Sequence, residues 1–414
     1  MAREVRTAMN LKPYRQALAL PGVRSLLLVA MLARVPLTAC GVVLTLYVVQ
    51  DLRHGYAAAG LAGAAMTVGM AVGAPLLGRL VDRRGLRPML LLTASAQAVF
   101  WLSAQALPYP ALVVAAFLGG LLELPLFSVV RQSIAALVPE SRRRQAYALD
   151  SMSVELSFMV GPALGVLLAT TWSTRGTMVL LGAAIVLSGL ALFALNPPTR
   201  AAHEAARGAP AVPRRQWLTG RLLGLLAVSA GTTLVLGGTD VSVVAALRHA
   251  GQVEWTGAVL GIWAAASLVG GFAYGAVRRP PTALRLALLL CLGTLPVGLS
   301  GDRWWLLALF LLPAGVLCAP TLASTADAVS RLAPAAVRGE AMGLHGSAVT
   351  VGIALGAPLA GAVIDASAPA WGFAATGAVG ALVVLAALIT GRHRHRPARD
   401  ASTAPDQVVV DAIR

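Results

Sequence analysis

Apolar runs of about twenty residues recur along almost the whole chain, and no other feature restricts the fold so strongly. About 20 mostly apolar residues in helical form cross the ~30 Å hydrocarbon layer of a bilayer. The runs lie at 25–49, 56–78, 88–107, 111–137, 146–170, 177–195, 219–247, 255–277, 283–300, 304–330, 341–364 and 371–390. In lipid every backbone N–H and C=O must find a partner inside the structure, which leaves helices and closed barrels. Alternating ten-residue barrel segments are absent, so helices are expected. Composition agrees: 12% of the 414 residues are charged, about half the ~25% of a soluble domain. Mean hydropathy is +0.76, and no soluble core of this size hides that much apolar surface. The expected fold class is an all-α membrane protein with twelve transmembrane helices.

A net charge of +16 in a soluble protein would point to nucleic acid. Here its distribution argues otherwise. Arg53, Arg175, Arg248 and Arg303 fall on one side of the twelve spans, and Arg34 and Arg131 lie within them. Nearly all other basic residues fall on the opposite side, among them Arg79, Arg142, Arg143, Arg144, Arg278 and Arg392. Basic loops stay on the cytoplasmic face, so both termini are expected in the cytoplasm and the chain in the cytoplasmic (inner or plasma) membrane. Trp172, Trp255, Trp304, Trp305 and Trp371 fall at the other interface, where amphipathic rings prefer to sit. The bilayer is the expected partner, with no nucleic acid. Cys40, Cys291 and Cys318 stand far apart in apolar runs and are expected to pack. Phosphate loop, metal constellation and nucleophile–base pair are all missing from the sequence. Neither a cofactor, a metal nor enzymatic chemistry is expected.

Residues 196–218 are polar and rich in proline, and read as a cytoplasmic linker between six-helix bundles at 1–195 and 219–391. A basic, disordered cytoplasmic tail is expected at 392–414. The halves repeat one another: Pro139, Arg143, Ala146, Leu149 and Gly161 recur as Pro334, Arg338, Ala341, Leu344 and Gly356, always 195 residues on. Duplication of a six-helix unit leaves such a trace.

At the end of the second run stands Gly78-Arg79-Leu80-Val81-Asp82-Arg83-Arg84-Gly85-Leu86-Arg87. Gly78 removes a side chain where two helices approach closely. Asp82 is a lone acid among arginines, suited to pair with one of them and to face the positive N-terminus of another helix. This stretch resembles the signature loop of the major facilitator superfamily, in which Gly78, Leu80, Asp82, Arg83 and Gly85 match and Arg87 stands one place late. The resemblance implies two pseudo-symmetric six-helix bundles and a loop that latches the cytoplasmic side against the eleventh helix. Gly161-Pro162-Ala163-Leu164-Gly165 is similar to the superfamily's antiporter motif, with Val166 in place of its last glycine. The alternative reading of Gly161, Pro162 and Gly165 is a small-residue helix contact.

A charge at mid-bilayer costs roughly 2.5–3.5 kcal/mol on insertion scales. Arg34, Glu123 and Glu155 bear that cost near the centres of the first, fourth and fifth spans. They form the expected substrate and proton pathway, with Arg34 able to face both carboxylates and neutralise one. Asp150, Asp327 and Glu340 read as residues near the cytoplasmic helix ends that cap helices, and Asp240 and Asp365 lie towards the outer side. Arg131 suits Asp82 or Asp150; His345, aligned with Asp150 in the repeat, is expected to pack or hydrogen bond. The resemblance implies a monomeric secondary transporter, with protons as coupling ion, exporting a small, partly apolar organic molecule. Sugar or metabolite exchange, uptake symport, and a non-transporting receptor or scaffold on the same fold are the alternatives.

Overall fold

The computed structural model describes residues 12–201, 212–277 and 280–393. Among them are twelve helices long and apolar enough to span a membrane. They are α1 (Val23–Asp51), α2 (Ala57–Arg84), α3 (Leu86–Ala106), α4 (Tyr109–Leu137), α5 (Glu140–Thr171) and α6 (Thr174–Leu195). The second set is α7 (Gly220–His249), α8 (Val253–Ala276), α9 (Ala283–Ser300), α10 (Trp304–Leu332), α11 (Ala335–Ala366) and α12 (Pro369–Ala387). The chain is the all-helical, twelve-span protein expected. The tail at 394–414 and linker residues 202–211 lie outside the described residues.

Several helices overrun their apolar runs. α2 continues beyond 78 to Arg84, and α5 begins at Glu140 rather than 146. Hydropathy marks where the hydrocarbon stops, whereas backbone hydrogen bonding carries the helix on into the headgroup region. The shift has a consequence for Asp150. It lies about 15 Å along α5 from Glu140, at 1.5 Å per residue, and not at a helix end.

α4 is two pieces, Tyr109–Leu121 and Leu126–Leu137. Pro125 has no N–H to continue the ladder, and Gly119 and Gly120 weaken it just before. Glu123 stands in the gap, its backbone N–H turned to Gly120 O at 3.1 Å. Gln97 of α3 takes up the freed carbonyls, its Nε2 donating to Gly119 O at 2.8 Å and to Leu122 O at 3.4 Å. Trp101 Nε1 in turn holds Gln97 Oε1 at 3.1 Å.

Packing repeats with the sequence. α1 lies against α5 as α7 lies against α11, and α2 meets α11 as α8 meets α5. Thr38 Oγ1 donates to Ser157 O at 2.8 Å, and Thr233 Oγ1, again 195 residues on, donates to Val349 O at 3.0 Å. A Cβ on Gly161 would sit 2.0 Å from Thr38 Oγ1, and one on Gly352 would sit 2.1 Å from Thr233 Oγ1. Small residues therefore let the backbones of both pairs meet. Around the outside, large apolar side chains such as Leu32, Val99 and Leu382 are exposed. Lipid solvates them without further packing.

Candidate functional site

The first six helices meet the last six between the midplane and the end bearing the basic loops, here called the basic end. α2 and α11 touch backbone to backbone there. A Cβ on Gly78 would lie 2.1 Å from Gly339 O, and one on Gly343 would lie 2.4 Å from Ala74 O. Asp82 then reaches the first turn of α11, where backbone N–H groups lack intrahelical acceptors. Its Oδ1 accepts from Gly339 N at 2.9 Å and its Oδ2 from Glu340 N at 2.8 Å. A carboxylate at a helix N-terminus gains from hydrogen bonding and from the dipole. Gln132 Nε2, at 3.1 Å, is its side-chain hydrogen-bond partner, and the positive charge beside it comes from Arg200 rather than from a neighbouring arginine of the loop. Gly85 closes α2 at φ 84°, a conformation that favours glycine. Arg87 stacks over Phe193 of α6 at 5.1 Å, while Arg83 stays exposed. Glu340 is buried beside this contact and pairs with Arg214, with Arg79 3.9 Å away. Arg200 Nη2 donates to Asp82 O at 2.5 Å. The described ends of the α6–α7 connection thus clamp both partners of the gate.

Deeper in, the expected charge pairing is corrected. Arg34 faces neither Glu123 nor Glu155. Fully buried, it donates from Nη2 to Asp150 Oδ1 at 2.5 Å and from Nη1 to Ser153 Oγ at 2.7 Å, with its guanidinium 5.1 Å from the Phe127 ring. Arg34 and Asp150 lie about equally far from the basic ends of α1 and α5, whereas Glu155 stands more than a turn further along. Asp150 does not cap a helix end. Its second oxygen, Oδ2, accepts from Arg131 Nε at 3.2 Å. Arg131 Nη1 also lies 3.3 Å from Nδ1 of His345 on α11, and His345 Nε2 lies 3.3 Å from Thr325 Oγ1 on α10. One polar core thereby joins α1, α4 and α5 to α10 and α11.

Glu155 also crosses between the halves. Its Oε1 accepts from Ser267 Oγ of α8 at 3.1 Å and from Cys318 Sγ of α10 at 3.0 Å. Ser267 is held in turn by Ala319 N at 3.1 Å. Cys318 therefore does more than pack. Glu123, in the α4 gap, is partly buried, with no hydrogen-bond or ion-pair partner for its carboxylate among the described residues. Asp240 of α7 is exposed and close enough to Glu155 for the two charges to repel. Gly161 and Gly165 sit at the α1–α5 contact, with Pro162 beside them; a Cβ on Gly165 would lie 3.0 Å from Val43 Cγ2. Among the described residues no group of His, Cys, Asp or Glu is arranged to hold a metal ion.

The family model "Major Facilitator Superfamily" matches residues 26–299 and 250–412, which together span most of the sequence. The chain belongs to the major facilitator superfamily. Among solved structures, it resembles the human organic anion transporter MFSD10 (TETRAN) at 18% identity and TM-score 0.69, covering 89% of this chain and 100% of that one. It also resembles a bacterial homologue of the iron transporter ferroportin in an outward-facing state, at 15% identity and TM-score 0.69, covering 90% and 99%. The proton:xylose symporter XylE aligns at 16% identity and TM-score 0.62, covering 88% and 94%. At such identities the likeness concerns the fold. A search of curated proteins finds no match.

As a major facilitator protein the chain is a non-enzymatic membrane transporter of small molecules, and its parts sort accordingly. The Asp82 contact with α11 and the Arg131–His345 link join the first six helices to the last six, while the Arg34–Asp150 and Arg131–Asp150 ion pairs lie within the first six. Glu155 and Glu123 differ in having no arginine partner among the described residues. Sequence reasoning missed Asp150 as the shared acceptor, together with Ser267 and Cys318 as the donors to Glu155. The repeat carried one usable signal: His345 aligns with Asp150, and both face Arg131.

Proposed function

We propose that the protein is a proton-coupled exporter of a small, partly apolar organic molecule, working by alternating access as a single chain in the cytoplasmic membrane. The basic end faces the cytoplasm, as the positive-inside rule requires, and both termini lie there. The halves, residues 1–195 and 219–391, are the rocking bodies, joined by the 196–218 linker. With cross-half contacts running from the midplane to the basic end, we read the present arrangement as closed on the inner side. The observation that carries the reading is Glu155. It is a carboxylate at membrane depth whose donors, Ser267 and Cys318, belong to the opposite half. When the basic end opens, α5 parts from α8 and α10 and Glu155 loses both donors, so its hold on a proton changes with the facing state. Intramembrane carboxylates in such positions are proton-relay candidates. Unpaired Glu123 at the α4 break adds a second acid on the pathway, since discontinuous helices commonly build transporter sites. Arg34 supports the floor of that pathway through Asp150. The half-match of Gly161-Pro162-Ala163-Leu164-Gly165 to the antiporter motif favours outward transport.

The test is accumulation. Cells overproducing the protein should retain less of some member of a panel of lipophilic cations, antibiotics and metabolites, and a protonophore should erase the difference. A panel that yields only increased uptake, or export indifferent to the protonophore, overturns the proposal.

A further inference from the structure

His345 is the member of the buried core that bonds across the halves and whose bonding depends on a proton it can gain. A guanidinium only donates hydrogen bonds. With Arg131 Nη1 at 3.3 Å, His345 Nδ1 must therefore present its lone pair, and the ring proton sits on Nε2 facing Thr325 Oγ1. An imidazolium has no lone pair on either nitrogen. A proton on Nδ1 would delete the bond to Arg131 and set two cations about a hydrogen-bond length apart in a site where charges are weakly screened.

Among the described residues, no carboxylate bonds the ring, and the charge that acts on His345 is Arg131 of α4. Asp150 lies behind it on α5, already shared between Arg131 and Arg34. On α10, Thr325 is neutral and Asp327 is taken by Arg331 at 2.8 Å. On α2, Asp82 is bound to the first turn of α11, more than a turn from His345. α7 meets α11 further along, at Gly352 and Gly356, and its Asp240 lies near Glu155. α12 carries no acidic or basic residue between Pro369 and Ala387.

We infer that His345 is a proton-operated latch on the basic end, tying Arg131 of one half to α11 of the other when neutral and releasing it when protonated. The latch rests on the reading of the protein as a proton-coupled, alternating-access transporter, and it gives the proton a mechanical task. A proton arriving from the far side breaks the Arg131–His345 link and frees the basic end to open. Its departure to the basic side restores the lone pair, and the halves relock. Histidine suits this role because its unperturbed titration lies between pH 5 and 8. It is a positioning residue and touches no substrate.

The experiment measures opening without substrate or gradient. The full-length protein in lipid nanodiscs would carry nitroxides at Ser141→Cys and Val277→Cys, on exposed residues at the basic ends of α5 and α8. The three native cysteines are buried. Between pH 8 and pH 5.5 the population with the basic end open should rise at least about fivefold, the lower range of typical coupling. His345→Asn and His345→Gln can still accept from Arg131 through the amide oxygen but take up no proton. Either variant that melts like the parent should lose most of that rise. A parent with no pH response, or a well-folded variant that keeps the full response, overturns the latch. Transport by the same proteins in proteoliposomes separates the two ideas. Proton-driven export with an unchanged pH response in His345→Asn removes the latch and leaves the export reading. A response lost in His345→Asn, with transport indifferent to proton gradients, supports the latch and removes the proton-coupled reading.

Discussion

At the scale of single residues, the membrane interior sorts its charges by who neutralises them. Asp150 sits between Arg34 and Arg131, and all three are almost wholly withdrawn from solvent. Removing one partner from such a group costs about 3–5 kcal/mol, because the others stay buried and uncompensated. Glu123 and Glu155 have no arginine partner among the described residues and are the proposed proton sites. Their environments differ, and so should their variants. Glu155→Gln should abolish gradient-driven accumulation while substrate exchange survives, because the amide keeps the shape between Ser267 and Cys318 and carries no proton. Glu123→Gln should act on the apparent affinity or the pH profile, since that carboxylate holds no cross-half bond. Transport against pH for each variant decides. If both retain concentrative transport and its pH dependence, the coupling group lies elsewhere. Sequence picked out these glutamates by their cost in lipid, which depends on depth alone. Their partners depend on helix rotation and crossing, which hydropathy does not contain, so Arg34 was matched to the wrong acids.

At the scale of elements, the proposed gate depends on two helix backbones in contact. A side chain at Gly78 would meet the carbonyl of Gly339 with no flexible group to yield. Gly78→Leu should therefore hold α2 and α11 apart and leave the basic end open, with transport reduced at least about tenfold and insertion intact, as expected when overpacking forces backbone shifts. Asp82→Asn should be milder, since the amide oxygen still accepts one N–H while the charge facing the α11 N-terminus is lost. Cysteine accessibility at the basic end measures both, and unchanged labelling in Gly78→Leu would exclude the backbone contact. The signature loop was legible because every residue in it has a local reason: a close approach at Gly78, a helix end at Asp82 and a positive φ at Gly85. The α4 break was less legible. Gly119, Gly120 and Pro125 announce it, but an apolar run reads through a gap whose carbonyls Gln97 satisfies from another helix.

At the scale of the molecule, the first and last six helices share contacts towards the basic end, and the proposed opening would part Glu155, Arg131 and Asp82 from their partners. Gln145 of α5, whose Nε2 donates to Gly275 O of α8 at 3.0 Å, would lose its partner with them. Locking that end should stop transport without blocking access from the other side. An ideal Cβ on Gly271 of α8 would lie 3.0 Å from Met152 Cγ on α5, within the geometry a disulfide tolerates. Oxidising the Met152→Cys/Gly271→Cys protein should abolish transport, preserve substrate binding from the far side, and be reversed by reductant. Continued transport in the fully cross-linked protein would show that these helices need not part.

The sequence by itself determined that the chain has twelve membrane-spanning helices, that the basic loops gather on one side, that the halves repeat, and where the family's signature loop lies. Each follows from composition along the chain or from contacts between near neighbours, so no long-range geometry is needed. Tertiary structure alone decided that Asp150 rather than Glu155 receives Arg34, that Cys318 serves Glu155, and that His345 meets Arg131 across the halves. Those pairings join residues as many as 214 positions apart. They are set by how helices rotate and cross, which packing of small residues such as Gly161, Gly352 and Gly78 fixes only once the whole bundle is assembled.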